Sequence, residues 1–266
     1  MTEYNIRTLI TRGQDKLRCE DDFLVYEEGD YIITAVFDGC SSGTDSHFAS
    51  TLCKIALKNV LSRDLWNEFE YLPDDKDPLY GNDMIFLKNI IEEFICGDLN
   101  YALNELNLDV NTELLSTCVI CMFNKITHKC NIIFCGDGVC YIDGNVYAPH
   151  DENGNSVYYF STCGFDKARS RKEQRKILNE YFDKYCFMVE DKTVNETVAI
   201  ASDGIDSFKD MYGINKVEEA RDVFFKENRF STMNVMLKRL YNIFIKSNSC
   251  MNQDDCTIVR LNIIES

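Results

Sequence analysis

The sequence predicts an α+β protein with mainly antiparallel sheets and helices packed outside them. Two observations carry this, and a third points to a site. Strand-like segments come in runs, in the order strands, two helices, strands, helices, strand; one-for-one βαβ alternation would instead signal a parallel sheet. Short turns rich in Gly and Asp join neighbouring strand segments. Two separate hydrophobic strands each end on a lone aspartate backed by glycine, Asp38-Gly39 and Asp203-Gly204.

Taken in order, Asn5 to Thr11 alternates loosely and suits a first strand, which Gly13 breaks. GQDKLRCEDDF follows as a loop. Phe23 to Tyr26 and Tyr31 to Phe37 form a hairpin around Glu28-Gly29-Asp30. The second arm continues as YIITAVFDGCSSG, residues 31 to 43: a short β-branched and aromatic run stopped by Asp-Gly, as a buried strand should be. Thr44 to Leu61 has helical spacing, with Phe48, Leu52, Ile55, Ala56 and Val60 on one face and Thr44 or Asp45 as N-cap. Residues 71 to 83 hold two prolines and read as a loop. Met84 to Leu106 reads as one long helix burying Ile85, Leu87, Ile91, Ile95, Leu99 and Leu103. Leu115 to Asn124, Cys130 to Cys135 and Val139 to Tyr147 read as three successive antiparallel strands. Residues 149 to 166 are irregular. Arg169 to Phe187 reads as a charged peripheral helix whose basic run, Lys167 to Lys176, is a solvated face. Thr197 to Ser202 is the strand before Asp203; helices at Val217 to Asn228 and Thr232 to Lys246, then a strand at Cys256 to Ile263, close the chain. No linker or repeat divides it, so residues 1–266 are expected to be one domain.

Composition narrows the function. The chain has 266 residues, is 45% hydrophobic and 27% charged, and carries a net charge of −16. Such acidity argues against binding nucleic acid or an anionic membrane surface, and suits a protein that gathers divalent cations. The thirteen cysteines lie mostly in apolar context, as at Cys53, Cys118, Cys130 and Cys186, where Cys is a small hydrophobe. A reducing, cytoplasmic setting is expected. Cys118 and Cys121 mimic a CxxC pair, but on a strand they face opposite ways, which disfavours zinc. His47, His128 and His150 form no ligand pattern. The first residues lack the apolar core of a signal peptide, and no run approaches the roughly 18 apolar residues of a membrane span.

Four acidic segments lie at strand edges: Glu20-Asp21, Asp38-Gly39, Asp203-Gly204 and Asp254-Asp255. Taken singly, each is also an ordinary turn or strand-edge charge. Rigid strand ends hold carboxylates with little slack, as a metal site needs. Hard cations such as Mg2+ or Mn2+ prefer such oxygen ligands. Two ions about 3.5–4 Å apart could share Asp38 and hold an acidified water able to attack phosphorus. No nucleophilic Ser or Cys is then needed, and the chain has no GxSxG, no Cys-x5-Arg loop and no P-loop.

In this order the segments resemble the metal-dependent Ser/Thr protein phosphatases of the protein phosphatase 2C (PPM) family, in a bacterial form. CEDDF is similar to the family's Glu-Asp motif, VFDGCSSG to its strand-Asp-Gly motif, and LLSTCVICM to its Gly-Ser-Thr strand. FCGDGVCYIDG resembles its Gly-Asp-Ser-Arg hairpin, AIASDGIDSF its Ser-Asp-Gly motif, and DDCTIVRL its final Asp-Asn-x-Thr. The likeness runs from about Arg12 to Leu261. It implies two antiparallel sheets in a sandwich flanked by antiparallel helices on both faces, in α-β-β-α layers, with residues 149–190 in the place of a variable flap. It implies a phosphatase that hydrolyses phosphoserine and phosphothreonine through a metal-bridging hydroxide, with two Mn2+ or Mg2+ and a looser third. Asp38 would bridge both metals; the Gly39 carbonyl and Glu20 would serve the second, Asp203 and Asp254 the first, and Asp137 the third. Asp21 and Asp255 would stand behind the ligands. A phosphorylated protein is the implied substrate and a Ser/Thr kinase the implied counterpart, and a monomer is expected.

The departures sit on the substrate side. The family's phosphate-gripping arginine falls at Lys16, which keeps the charge but loses the bidentate fork; Arg18 or Arg12 could stand in. The general-acid histidine of animal members is Cys40, and the Arg of the hairpin motif is Val139. Two other readings therefore stay open: a catalytically weak or inactive metal- and phospho-binding regulatory relative, and a phosphatase of small phosphoesters.

Overall fold

The structure is a computed structural model that describes residues 2–14, 16–40, 46–63, 83–149, 159, 164, 170–230 and 233–265. Its frame is two five-stranded sheets in which every neighbouring pair is antiparallel. The first contains β2 (Asp21–Glu28), β3 (Tyr31–Gly39), β4 (Ser116–Asn124), β5 (Lys129–Cys135) and β8 (Phe187–Thr193), in that order. The second runs β1 (Thr2–Thr11), β12 (Cys256–Glu265), β9 (Thr197–Ala201), β6 (Val139–Ile142), β7 (Asn145–Tyr147). A small pair, β10 (Phe208–Asp210) with β11 (Cys250–Asn252), lies apart.

Three apolar layers explain the stacking. Ile32 and Val36 of β3, Val119, Cys121 and Phe123 of β4, and Val198 and Ile200 of β9 fill the space between the sheets. The alternate residues Ile33, Ala35, Phe37, Cys118, Ile120 and Met122 face outward. There they meet α1 (Ser46–Leu61) and the helical run beginning at α2 (Asp83–Glu93). On the far side, Ala199, Ala201 and Ile258 pack under α5 (Val217–Arg221), the π turn after it and α6 (Met236–Asn248). Central strands thus bury both faces, which is why they read as continuous apolar runs instead of alternating ones. Cys118 and Cys121 fall in different layers, as the strand period requires. The result is an α+β sandwich with helices outside two antiparallel sheets.

Several elements differ from the sequence reading. The Met84 to Leu106 helix is α2, then a π turn at Phe94–Leu99, then α3 (Asn100–Leu106). A π turn takes up more residues than an α turn and rotates the buried face. Met84 and Ile90 are buried and Ile85 is not. In α1 the buried face is rotated too: Ile55 is 49% exposed, while Cys53, Leu57 and Leu61 are core. The segment Val139 to Tyr147 is two strands joined by a tight turn, and β6 does not pair with β5: at Gly136-Asp137-Gly138 the chain crosses from one sheet to the other. The reading missed β8, β10 and β11. The helix expected from Thr232 begins at Met236, and the one at Val217 ends in a π turn, Asp222–Lys226. Arg171 and Arg175 of α4 (Arg171–Tyr185) pair with Glu93 and Glu92, so the described part of the basic run, its basic residues exposed as expected, is also tied to α2. The Thr44 or Asp45 cap, His150 and most of the 149–166 stretch lie outside the described residues.

Candidate metal centre

The carboxylates gather where β3, β9 and the crossing turn come together. Asp38 is the penultimate residue of β3, directly opposite Asp21 on β2 and Thr117 on β4. Asp203 opens the 3-10 turn Asp203–Asp206 that ends β9. Asp137 sits in the crossing turn between β5 and β6. One carboxylate oxygen each from Asp38, Asp137 and Asp203 lie within 4.8 Å of one another, and all three residues are half-buried.

Local geometry explains the glycines around them. Gly136 has φ +112°, and a Cβ there would stand 2.4 Å from the Thr117 side chain. The turn can therefore press Asp137 against β4 only without a side chain before it. A Cβ on Gly204 would collide with the Asp255 carbonyl, so the turn after Asp203 lies directly on the start of β12.

The cluster is rich in charge of one sign. Burial, then the charges of Asp21 and Asp203, hold the Asp38 carboxyl well above the usual carboxylate range. Burial and then Asp137 push Asp203 up to about 6. Burial pushes Asp21 up to about 7, against the pull of its hydrogen bonds. Asp137 is also raised, first by burial. Oδ1 of Asp203 and Oδ1 of Asp21 are buried without a hydrogen-bond partner. Buried carboxylate oxygens that crowd together and lack donors are unstable unless protonated or bound to a cation. The donor set, all hard oxygen, fits Mg2+ or Mn2+.

A second acidic pair lies beside this triad with a different partner. Lys16 Nζ is 3.0 Å from Glu20 Oε2 and 2.9 Å from Asp254 Oδ1. Burial alone would lower the Lys16 pKa; hydrogen bonds to Asp254 and Glu20 outweigh it and raise it. Asp255 braces the loop that carries Lys16: its carboxylate accepts the backbone N–H of Gly13 at 2.7 Å and of Glu20 at 2.6 Å. The Gly39 N–H donates to the Glu20 carbonyl at 3.1 Å, and Ser50 Oγ donates to the same oxygen at 2.6 Å.

The structure thus brings Asp38, Asp137 and Asp203 to one point and sets Glu20 and Asp254 around a lysine. Asp137, expected only at a looser third position, is here a full member of the triad. Asp21 lies behind Asp38, and Asp255 works through backbone donors. Arg18 faces His47, with 3.4 Å between Nη1 and Nε2, and Arg12 donates to the Leu17 carbonyl. Sequence reasoning missed Ser202, although it stands in the Ser-Asp-Gly segment. It also missed Tyr159, whose hydroxyl meets the Cys40 thiol and whose pKa is raised by burial and then by Cys40, Asp137 and Asp38.

Fold and cluster define a class: a two-sheet sandwich that collects carboxylates where its strands end. Residues 11–240 match the family described as Protein phosphatase 2C, and the chain belongs to that family. Sequence comparison with curated proteins finds no match. Among solved structures, a bacterial serine phosphatase superposes with TM-score 0.58 at 15% identity, covering 100% of both chains. A chain holding the PP2C phosphatase domain and a fragment of the regulatory domain of the cell fate determinant SpoIIE from Bacillus subtilis gives TM-score 0.57 at 15% identity, covering 100% of this chain and 65% of that one. The catalytic domain of the serine/threonine phosphatase PstP, solved with two manganese ions, gives TM-score 0.53 at 15% identity over 100% of both. At such identity these likenesses establish the fold.

Proposed function

We propose that the chain is a Mn2+- or Mg2+-dependent phosphatase that hydrolyses phosphoserine and phosphothreonine in proteins. The observation that carries this reading is the Asp38–Asp137–Asp203 triad with its donor-free Asp203 oxygen. Asp38, Asp137 and Asp203 would hold one ion; Glu20 and the Gly39 carbonyl would take a second, joined there by Asp254, which shares Lys16 with Glu20, in place of the first-ion role the resemblance implied. A divalent cation there would supply Lewis-acid polarisation of the phosphoryl group and a water acidified to act as nucleophile. The chain's own residues then do three things. Asp21 holds Asp38 from behind. Asp255 fixes the loop that presents Glu20 and Lys16. Lys16 offers a point charge to a phosphoryl oxygen, weaker in orientation than a guanidinium; Arg18, on the same loop and facing His47, is a further cation for substrate. We take residues 1–266 as one catalytic domain acting as a monomer, opposite a Ser/Thr kinase.

We also place it in a reducing, cytoplasmic compartment. The twelve cysteines among the described residues are all free thiols. No helix among those residues is long and apolar enough to cross a membrane.

Hydrolysis of a phosphothreonine peptide by the purified chain with Mn2+ tests the proposal. Activity should vanish with EDTA and in Asp38→Asn. No turnover, or turnover indifferent to both treatments, contradicts it. One observation favours a second reading, a regulatory relative without turnover: Lys16 is engaged by the very carboxylates expected to bind metal. That reading predicts Mn2+ binding in calorimetry with no hydrolysis of any phosphoester.

A further inference from the structure

We propose that the Lys16 ammonium is a built-in counter-cation for Glu20 and Asp254, so that a divalent ion binding this pair must first displace it. This rests on the metal reading above. It assigns the lysine a role in metal uptake, separate from any contact with phosphate.

The two acidic groups differ in how their charge is answered. Around Asp38, Asp137 and Asp203 the strongest charges acting on each carboxylate are those of other acids: Asp21 and Asp203 on Asp38, Asp254 on Asp137, and Asp137, Asp254 and Asp206 on Asp203. Glu20 and Asp254 instead share one ammonium within 3.0 Å of each. The Lys16–Glu20 half of the contact is not a loose surface pair, its side chains being 21% and 18% exposed, while Asp254 on the other side is 45% exposed. Nor is the loop free to carry Lys16 away, because the Asp255 carboxylate holds Gly13 and Glu20, which bracket Lys16. An ammonium is a compact, strongly hydrated point charge with three donors, so it can bridge two carboxylates where an ion would otherwise sit.

Two consequences follow. The first ion should enter the triad, where it relieves repulsion and displaces nothing. The second should bind more weakly, because its gain is offset by breaking both Lys16 contacts. The displaced ammonium then becomes available to solvent or to an anionic ligand.

The test is Mn2+ titration calorimetry of the wild-type chain and of Lys16→Met, with Lys16→Gln as a second variant, each checked for folding by circular dichroism. Wild type should bind in a tight step and a weak step. Removing the ammonium should strengthen the weak step by about tenfold, the scale of two partly screened ion pairs, and leave the tight step within a few fold. An independent reading needs no variant. Acetylation of the folded wild-type chain, followed by mass spectrometry of the Lys16 peptide, should be slow without metal and faster at saturating Mn2+. Unchanged weak-step affinity in both variants, or Lys16 labelling indifferent to Mn2+, overturns the inference while leaving the phosphatase reading intact. Absence of any Mn2+ binding by wild type overturns both.

Discussion

The Ser202 hydroxyl donates to the Asp21 carboxylate at 2.8 Å, joining the end of β9 in one sheet to the start of β2 in the other. The same oxygen accepts the Thr257 N–H of β12 at 3.0 Å. Ser202 is 2% exposed, so it pins the two sheets together behind Asp38 with no water to replace it. Ser202→Ala should cost about 1.5–3 kcal/mol of stability, since it strips a donor from a buried charged acceptor. Urea unfolding of the metal-free chain measures this; a loss below about 0.5 kcal/mol would mean that the link contributes little.

Stability of the metal-free chain should fall as pH rises. Asp21 titrates at about 7 and Asp203 at about 6 in the folded state, whereas unfolded carboxylates titrate near 4. Between those limits the folded chain binds more protons than the unfolded one. The slope of unfolding free energy against pH is therefore negative. Chemical denaturation in chelator should show greater stability near pH 5 than near pH 7.5. Asp21→Asn should flatten part of that slope. Stability that rises over the window would contradict this account of the cluster.

Metal should reverse the effect near neutrality. Ions bind the deprotonated carboxylates of the folded state, so Mn2+ at about a hundredfold excess over its Kd should add about 2.7 kcal/mol. Asp203→Asn should lose most of that gain. A melting temperature indifferent to Mn2+ would speak against the triad as a ligand set.

Arg260 gives a prediction independent of metal. It is fully buried on β12 and donates to the carbonyls of Phe224 and Glu227 and to the side chains of Asn228 and Asn262. It ties the π turn Asp222–Lys226 to the second sheet. Arg260→Ala should cost about 3 kcal/mol or more by orphaning these acceptors. Arg260→Lys should not restore it, because one ammonium cannot span the fork. Thermal unfolding of both variants checks this, and a near-neutral Arg260→Ala would refute the tie.

Much of this was legible in the chain because the strongest signals are local. Asp38 could be read from an apolar β-branched run cut off by glycine, and Asp203 from the same grammar. The edge strand β8 could not: Phe187–Thr193 buries one residue in seven, Val189, and its charges carry no alternation. The π turn at Phe94–Leu99 hid inside an apolar pattern that reads equally well as α. Asp143, in the turn between β6 and β7, has a role that its local sequence does not announce. Its carboxylate accepts the N–H groups of Asn195, Glu196 and Thr197, far along the chain. The Lys16–Asp254 contact is of the same kind. It depends on a loop meeting the start of the last strand, and no spacing in the sequence announces that.

The central claim is that Asp38, Asp137 and Asp203 form one cation cage. Anomalous diffraction from crystals grown with Mn2+ tests it most directly. The account predicts a manganese peak ligated by all three carboxylates. No peak there, or an ion held elsewhere with these side chains turned apart, would contradict it.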